Sequence, residues 1–173
     1  MSEKERGVSM EISNKDKEQN NLDAFIKTSN NRFRVRVCGI IIKDNCVLMV
    51  KNNVDDYYYS VGGAIHIGET IEDACLREVL EETGHPYQID RLLFVHENFF
   101  KQEDILWHEI AFYFLMKYDA NDAFITSYGA FGAKEEKVWL SIDEFFKYKA
   151  FPQFFATELK DLPKNIKIIT TYE

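Results

Sequence analysis

Arginines alternate with apolar residues from Arg32 to Val37, and the next five residues are mostly apolar. A period of two is typical of a β-strand, so we predict one strand over residues 33–43 with its arginines on one face. The pair Asp44-Asn45 is a turn signal, and the apolar residues 46–50 predict the returning strand. The chain therefore opens with a β-hairpin.

A helical pattern follows a further strand, which is predicted at residues 57–61. Ile71, Cys75 and Val79 recur at i, i+4 and i+8, and this spacing places them on one face of a helix. Gly84 comes after the last periodic residue, where a left-handed C-cap is common. We therefore predict a helix that buries this face and ends at Gly84.

Alternation returns in longer stretches after the helix. Residues 87–96 predict a strand, and Phe99-Phe100 are expected to begin a loop. Residues 105–117 predict a long strand. One face of that strand carries Trp107, Glu109, Ala111, Tyr113 and Leu115. A loop over residues 118–134 is then expected before a short strand at residues 138–140.

The C-terminal part of the chain predicts short helices and one edge strand. Ser141 and Glu144 have the spacing of a capping box, which opens a helix. Phe151-Pro152 predicts the start of a second helix, with Pro at the first helical position, and Pro163 ends it. Residues 166–170 are then expected to add an edge strand.

The order of these elements predicts an α/β (α+β) fold. Strands dominate the first half, one helix interrupts them and helices close the chain, which suits a mixed sheet with helices on both faces. Residues 1–31 are polar and predict an N-terminal extension, in which Leu22, Phe25 and Ile26 have the spacing of a short helical turn. The folded domain is expected over residues 32–173.

Composition narrows the classes of partner and compartment. The 173-residue chain has a formal net charge of −8 and no basic run, so no nucleic-acid partner is expected. Cys38, Cys46 and Cys75 have no paired spacing, which predicts reduced thiols in a cytoplasmic protein. No apolar run reaches the ~18 residues that span a bilayer, so no membrane partner is expected.

The predicted helix carries three carboxylates on one face. Glu78, Glu81 and Glu82 lie at i, i+3 and i+4, where like charges cost about 0.2–0.5 kcal/mol per pair and raise one another's pKa. A hard divalent cation reverses both effects, and Mg²⁺ shares its ligand shell between carboxylates and substrate phosphates. The face therefore predicts a Mg²⁺ (or Mn²⁺) site for phosphate chemistry, with a solvated acidic face as the alternative interpretation.

The stretch from Gly63 to His85 resembles the sequence box of the Nudix hydrolase family. That box consists of Gly, five residues, Glu, seven residues, and then Arg-Glu-aliphatic-any-Glu-Glu-any-Gly. The residues at the required spacing are Gly63, Glu69, Arg77, Glu78, Val79, Glu81, Glu82 and Gly84. Val61, His66 and His85 depart from the pattern, since the family usually has Pro, an acidic residue and an aliphatic residue there.

The resemblance implies the Nudix fold, an α/β/α sandwich around a mixed β-sheet. It also implies hydrolysis of a diphosphate linked to another moiety, X, in which water attacks one phosphorus atom and the other phosphate leaves. Glu78, Glu81 and Glu82 would then hold the metal and act as the catalytic carboxylates. The backbone carbonyl of Gly63 would be a further metal ligand.

The resemblance also assigns residues around this centre. Arg77 and Glu69 are expected to pair with each other and to orient the helix against the preceding loop. Glu135 or Glu136 is expected to supply a further metal ligand or the general base, and a solvated pair is the alternative. Glu109, within the long predicted strand, is another candidate ligand.

Basic and aromatic residues are candidates for substrate contacts. A guanidinium group matches phosphate geometry, so Arg34 and Arg36 are expected either to contact substrate phosphates or to form a solvated face. Phe99, Phe100, Trp107 and Phe131 are candidates for stacking on a base. These aromatic residues favour a small nucleotide diphosphate as the substrate, and the family resemblance favours a homodimer.

Two other functions are left open by the sequence. The domain would be a nucleotide-sensing module if it binds a ligand without cleaving it, although such a module has no need of all three carboxylates. An isoprenoid-diphosphate isomerase on the same fold would need an additional Cys and Glu in the cleft. The substrate itself is unassigned, because Phe99 and Phe100 occupy the region where ADP-ribose hydrolases of the family carry Pro.

Overall fold

The computed structural model of the chain describes residues 22–120, 123–129 and 132–172. Most of the predicted N-terminal extension, residues 1–21, therefore lies outside the described residues. The helical turn predicted at Leu22 to Ile26 is wrong, because this segment runs extended along the domain. The Ala24 N–H donates to the Ile65 carbonyl at 2.7 Å, and this backbone hydrogen bond holds the extended segment against the domain.

The first of two sheets is mixed, as the sequence predicted. Its strands are β1 (Phe25–Lys27), β2 (Asn31–Ile40), β6 (Gly62–Ala64), β7 (Gln88–Gln102), β8 (Ile105–Lys117) and β12 (Lys167–Tyr172). The strand order is β1-β2-β8-β7-β12, and β6 also pairs with β2. The β2–β8 and β7–β12 pairs are parallel, whereas the other pairs are antiparallel.

The second sheet is built mainly from antiparallel pairs. Its strands are β3 (Ile42–Lys43), β4 (Cys46–Asn52), β5 (Tyr58–Ser60), β9 (Ser127–Tyr128), β10 (Lys134–Ser141) and β11 (Ala150–Phe151). The order is β11-β5-β4-β10-β9, with β3 paired to β4. Asp44 and Asn45 have φ values of 46° and 61°, which confirms the predicted turn between β3 and β4.

Helix α1 (Ile71–Thr83) is the longest helix among the described residues. It begins where the Thr70 side chain accepts a hydrogen bond from the Asp73 N–H at 3.1 Å. It ends at Gly84, whose φ of 81° is the predicted left-handed cap. No helix in the described part of the chain is long and apolar enough to cross a membrane.

The C-terminal helices are shorter than predicted and begin later. A 3₁₀ helix spans Phe145–Lys147 and helix α2 spans Phe155–Glu158. The capping box expected at Ser141 does not form, because Ser141 still belongs to β10. Pro152 does not open a helix either, because the preceding residues form β11 and pair with β5.

Two predicted loops are parts of strands instead. Phe99 and Phe100 belong to β7, because pairing between β7 and β8 continues as far as Gln102 opposite Ile105. Glu135 and Glu136 likewise lie inside β10, which starts at Lys134 and pairs with both β4 and β9. In both cases backbone pairing with a neighbouring strand extends the strand beyond the residues that the apolar pattern predicted.

Apolar cores lie on both faces of the sheets, since successive strand residues point to opposite sides. Helix α1 covers one core through residues that include Ala74, Cys75 and Val79. The short C-terminal helices close the other core with Phe145 and Phe155. Helices on both faces of mixed sheets confirm the predicted fold class. Leu76 and Leu80 of the same helix are exposed.

Close packing of β2 against α1 yields a stability prediction. A Cβ atom added to Gly39 would lie 2.5 Å from Cγ2 of Val79 and 3.3 Å from Met116. We expect Gly39→Ala to lower the free energy of unfolding by about 1–3 kcal/mol through overpacking. Urea unfolding of the Gly39→Ala/Val79→Ala double variant should show less destabilisation than the sum of the two single variants. Strictly additive effects would contradict this packing account.

Candidate functional site

A cleft of about 1410 Å³ opens between the two sheets and helix α1. It contains most of the residues that the sequence analysis assigned to the site. The predicted residues that line it are Arg34, Arg36, Gly63, Glu78, Glu81, Glu82, Trp107, Glu109 and Glu135. Residues separated by about a hundred positions in the chain therefore share one surface.

Arg77 fixes helix α1 against the loop that precedes it. Its Nε and Nη2 atoms each donate to the Glu69 carboxylate at 2.9 Å, and Nη2 also donates to the Ala64 carbonyl at 3.0 Å. Its Nη1 atom donates to Glu78 at 2.6 Å. Burial opposes ionisation of Glu69, but the hydrogen bonds from Arg77 leave its pKa below the ordinary value. Two planar charged groups that meet in this way define one orientation.

The glycines before the helix leave room for its carboxylates. A side chain at Gly63 would displace the Glu78 carboxylate, so glycine leaves room for this carboxylate beside β6. The Gly62 N–H donates to Oε2 of Glu82 at 3.2 Å, and its φ of 135° favours glycine. The glycine pair therefore presents backbone to Glu78 and Glu82.

The surroundings of Glu82 disfavour the charged form of its carboxyl group. Burial, reinforced by the nearby negative charge of Glu135, raises the pKa of Glu82 to about 8. Burial also raises the pKa of Glu78, although Arg77 partly offsets that effect. Glu81 differs from both, because its side chain is 58% exposed and contacts Arg77 at 3.4 Å. The three helix carboxylates are thus not equivalent.

Glu135 reaches the same cleft from the second sheet. It is 5% exposed, and its two carboxylate oxygens accept hydrogen bonds from the Tyr59 hydroxyl at 2.7 Å and the Ser127 hydroxyl at 2.6 Å. A side chain at Gly129 would collide with this carboxylate. The next residue, Glu136, is exposed and pairs with Lys134, because strand alternation turns it away from the cleft.

Glu109 is held by arginines rather than by the carboxylate cluster. Arg34 donates a short hydrogen bond to Glu109, and Nη1 of Arg36 lies 4.0 Å from the same oxygen. Arg36 also donates to the Gly62 carbonyl at 2.9 Å, so it holds the backbone of β6 in place at this residue. Two guanidinium groups around one buried carboxylate leave a net positive charge at this part of the cleft.

The aromatic candidates do not all face the cleft, and Phe131 lies outside the described residues. Trp107 lines the cleft, whereas Phe99 points to the opposite face of β7 and stacks on His108 and Tyr172. Its neighbour Phe100 lines the cleft instead. Phe99 was misplaced because a residue assigned to a loop has no defined face, whereas in a strand its side is set by alternation.

Trp107 is enclosed between two neighbours. The Phe100 ring is 5.6 Å from the Trp107 ring and within 7° of parallel. The Arg34 guanidinium carbon lies 4.9 Å from the Trp107 ring centre. Phe100 and Arg34 come from the strands on either side of β8, so both faces of the Trp107 ring are covered. Phe100 and Trp107 both line the cleft and are both half-buried.

Several residues of the cleft were missed from the sequence. Tyr59 and Ser127 were not assigned, although they fix Glu135, and Lys137 contacts Ser127 from the same strand face as Glu135. The sequence contained partial information about Tyr59, because the three consecutive tyrosines 57–59 of a predicted strand must face both of its sides. Nothing local in the sequence indicated which residues would meet Glu135.

The donor set fits a hard divalent cation in its chemistry. Glu78, Glu82 and Glu135 all line the cleft and supply only oxygen donors. Among the described residues, no three His, Cys, Asp or Glu side chains form a closed ligand cluster. Mg²⁺ keeps several waters and needs few protein ligands, so an open arrangement of carboxylates is compatible with it.

Comparison with known proteins agrees with the fold and with the box. The family profile of the NUDIX domain matches residues 32–160. An ADP-ribose pyrophosphatase of Methanocaldococcus jannaschii is 35% identical over 85 residues, which are 47% of this chain and 49% of that protein. The chain therefore aligns with only about half the length of this relative.

Solved structures show the same fold at low sequence identity. A MutT protein from Bacillus halodurans is 17% identical with a TM-score of 0.58, and the match covers 80% of this chain and 90% of that one. A MutT protein from Methanosarcina mazei is 18% identical with a TM-score of 0.58, covering 78% of this chain and all of that one. Together with the profile match over most of its length, this shows that the chain belongs to the Nudix family.

Proposed function

We propose that this protein is a metal-dependent pyrophosphohydrolase that cleaves a nucleoside diphosphate linked to another moiety. The observation that carries the proposal is the meeting of Glu78 and Glu82 from the helix with Glu135 from the second sheet, in a cleft that also holds the Arg34 guanidinium. This arrangement separates an acidic end from a basic end. A diphosphate with a bound cation is complementary to both ends, because the cation suits the carboxylates and the phosphates suit the arginine.

Glu78 and Glu82 are the proposed metal ligands of the helix, with the Gly63 carbonyl beside them, and Glu135 is the ligand or base from the second sheet. Glu81 is more exposed than these residues, so its proposed place is at the rim. When bound, Mg²⁺ or Mn²⁺ neutralises phosphate oxygens and lowers the pKa of a water molecule. Glu136 has no part in this proposal because it faces away.

The protein groups perform the remaining tasks. The Gly62 N–H keeps one oxygen of Glu82 oriented at 3.2 Å, and the hydroxyls of Tyr59 and Ser127 do the same for Glu135. A carboxylate held in this way accepts a proton from an attacking water without first rearranging. Glu82 and Glu135 are the two candidates for that proton transfer.

Arg34 and Arg36 are proposed to have different roles. The Arg34 side chain is 31% exposed and the Arg36 side chain is 17% exposed, so Arg34 is the more accessible to substrate. Arg36 is committed to the Gly62 carbonyl and to Glu109. We therefore assign the phosphate contact to Arg34 and a supporting role to Arg36. Glu109 then orients guanidinium groups and is not a metal ligand.

Contacts of the cysteines weigh against the isomerase alternative. Cys38 is buried and accepts a weak hydrogen bond from the Ser60 hydroxyl at 3.4 Å, and Cys75 lies 3.9 Å from the sulfur of Met116 behind the helix. Burial raises the pKa of both thiols. Neither cysteine lines the cleft, as the isomerase reaction would require. A nucleotide sensor is distinguished by ligand binding without phosphate release.

The proposed substrate class is a nucleotide, which is the narrower part of the proposal. Phe100 lines the cleft and offers a stacking surface, and a relative matched over about half of its length is an ADP-ribose pyrophosphatase. ADP-ribose and nucleoside triphosphates are therefore the first substrates to test. Phosphate release after addition of a phosphatase, with Mg²⁺ or with EDTA, would identify the products.

Replacement of Glu82 tests the assignment of the carboxylates. We expect Glu82→Gln to reduce kcat by at least about 100-fold, because a charge that stabilises the reacting centre is removed. Circular dichroism should show an unchanged fold, since burying a neutral amide costs less than burying an anion. Glu136→Gln, on the exposed face of β10, is the matched control and should retain normal kcat. Equal turnover by both variants would refute the assignment.

The role of Arg34 is tested by the Michaelis constant. Arg34→Met should raise KM by roughly 10-fold, which corresponds to one charge-assisted hydrogen bond to a phosphate. Arg32→Met provides the control, because Arg32 lies on the same strand but donates to the carbonyls of Thr28 and Asn31. An unchanged KM in Arg34→Met would assign this arginine to structure alone.

Two adjacent phenylalanines separate base stacking from general packing. Phe100→Leu should raise KM for a nucleotide substrate by roughly 5-fold, because a planar stacking surface is lost. Phe99→Leu removes a ring from the opposite face of the same strand and should leave KM unchanged. If the two substitutions have equal effects, neither ring contacts the base. Thermal unfolding of both variants would check that the strand is intact.

A further inference from the structure

Two carboxylates in the cleft, one half-buried and one buried, have only neutral hydrogen-bond donors. Glu82 accepts from the Gly62 N–H, and Glu135 accepts from the hydroxyls of Tyr59 and Ser127. Neither carboxylate forms an ion pair within 4.0 Å of any described basic group. By contrast, Glu78 is paired with an arginine. The acidic end of the cleft thus holds charge that is not balanced by direct contact.

Lys137 is the cation that lies behind this pair. It follows Glu135 by two positions on β10, so both side chains point to the same face of the strand. Its ammonium group donates a short hydrogen bond to the Ser127 hydroxyl oxygen. Because an ammonium group can only donate, Ser127 accepts from Lys137 and gives its own hydrogen to Glu135 at 2.6 Å. The hydrogen bonds run in one direction from the cation to the carboxylate.

The position of Lys137 is unusual for a lysine. A lysine near a surface normally keeps its ammonium group in water, whereas this one is half-buried and bonded inward. Burial lowers the pKa of Lys137, and the negative charges of Glu82 and Glu135 oppose that effect. The ammonium group therefore interacts with both carboxylates through space, without forming a contact ion pair with either.

We propose that Lys137 is the built-in counter-cation of the acidic end of the cleft, anchored there by Ser127. This proposal rests on the proposed metal site. In the metal-free protein, Lys137 partly compensates Glu82 and Glu135. When a divalent cation binds these carboxylates, the same ammonium group repels it. Lys137 therefore lowers the affinity of the carboxylates for a divalent cation and stabilises the metal-free protein.

Removal of the positive charge of Lys137 should strengthen metal binding and destabilise the metal-free protein. Lys137→Met in the full chain should bind Mn²⁺ roughly 10-fold more tightly than the original protein, because a nearby like charge is gone. Its Tm in EDTA should fall, and the rise in Tm on adding Mn²⁺ should be larger. Lys137→Arg keeps the charge and should resemble the original protein in both respects. Calorimetric titration with Mn²⁺ and thermal unfolding give these values.

Lys137→Gln removes the positive charge but keeps a hydrogen-bond donor. It also provides a second neutral variant if Lys137→Met misfolds. Its amide can still donate to Ser127, so tighter Mn²⁺ binding in this variant as well would assign the effect to charge. Unchanged or weaker binding in both neutral variants would overturn the proposal, because a purely structural lysine can only weaken the site when it is lost.

The metal site itself can fail separately from the Lys137 proposal. If the original protein does not bind Mn²⁺, or if Glu82→Gln leaves its affinity unchanged, the proposed metal site is wrong and the Lys137 proposal is overturned with it. If Glu82→Gln weakens binding but the neutral Lys137 variants do not tighten it, the metal site stands and only the counter-cation is refuted.

Discussion

The bidentate pair between Arg77 and Glu69 is the interaction on which the geometry of the cleft depends. Arg77 lies on the helix and Glu69 lies on the loop before it, so their two hydrogen bonds of 2.9 Å join the elements that carry the glycines and the carboxylates. The same guanidinium satisfies the Ala64 carbonyl. Its loss would leave several partly buried polar groups without partners, which costs more than the pair itself contributes.

That fixed geometry allows charges of one sign to be collected in one place. Like charges on a helix are unfavourable, and burial of Glu82 makes them more so. The chain tolerates this cost because neutral donors orient the carboxylates and because cationic groups stand close behind them. Arg36 and Lys137 occupy that position on two different strands. These cationic groups lower the cost of the carboxylate cluster while no metal is bound.

The basic part of the cleft is arranged by similar means but with the opposite sign. Glu109 is buried between Arg34 and Arg36, and the two guanidinium groups outnumber it. Trp107 packs against the Arg34 guanidinium, whose carbon lies 4.9 Å from the ring centre, and this contact restricts the directions in which that group can point. The substrate would therefore meet a positive group that is already oriented. Preorganisation of this kind reduces the entropy that binding must overcome.

The box helix was the part of the site that could be predicted from the sequence. The spacing of Gly63, Glu69, Arg77 and the carboxylates defines local geometry, and helical periodicity carries it through to the folded chain. The alternating faces of β8 were also correct, which located Trp107 and Glu109 on the cleft side. These predictions succeeded because each depends on residues within one element.

The misplaced residues depend on contacts between distant strands. Phe99 was assigned to a loop, yet pairing with β8 extends its strand and turns it away from the cleft. The choice between Glu135 and Glu136 required the start of β10, which is set by its neighbours and not by local apolar pattern. One partner of Glu135, Tyr59, is 76 positions away in sequence, and the other, Ser127, lies on a neighbouring strand. Neither propensity nor periodicity contains that information.

Anomalous diffraction from crystals soaked in Mn²⁺ would test the central claim most directly. The account predicts a Mn²⁺ peak in the cleft with oxygen atoms of Glu78 or Glu82 in its first shell and Glu135 on the same side. The peak should disappear in crystals of the Glu82→Gln variant. A fully occupied Mn²⁺ peak elsewhere, or a cleft without a peak in crystals that bind the ion, would contradict it.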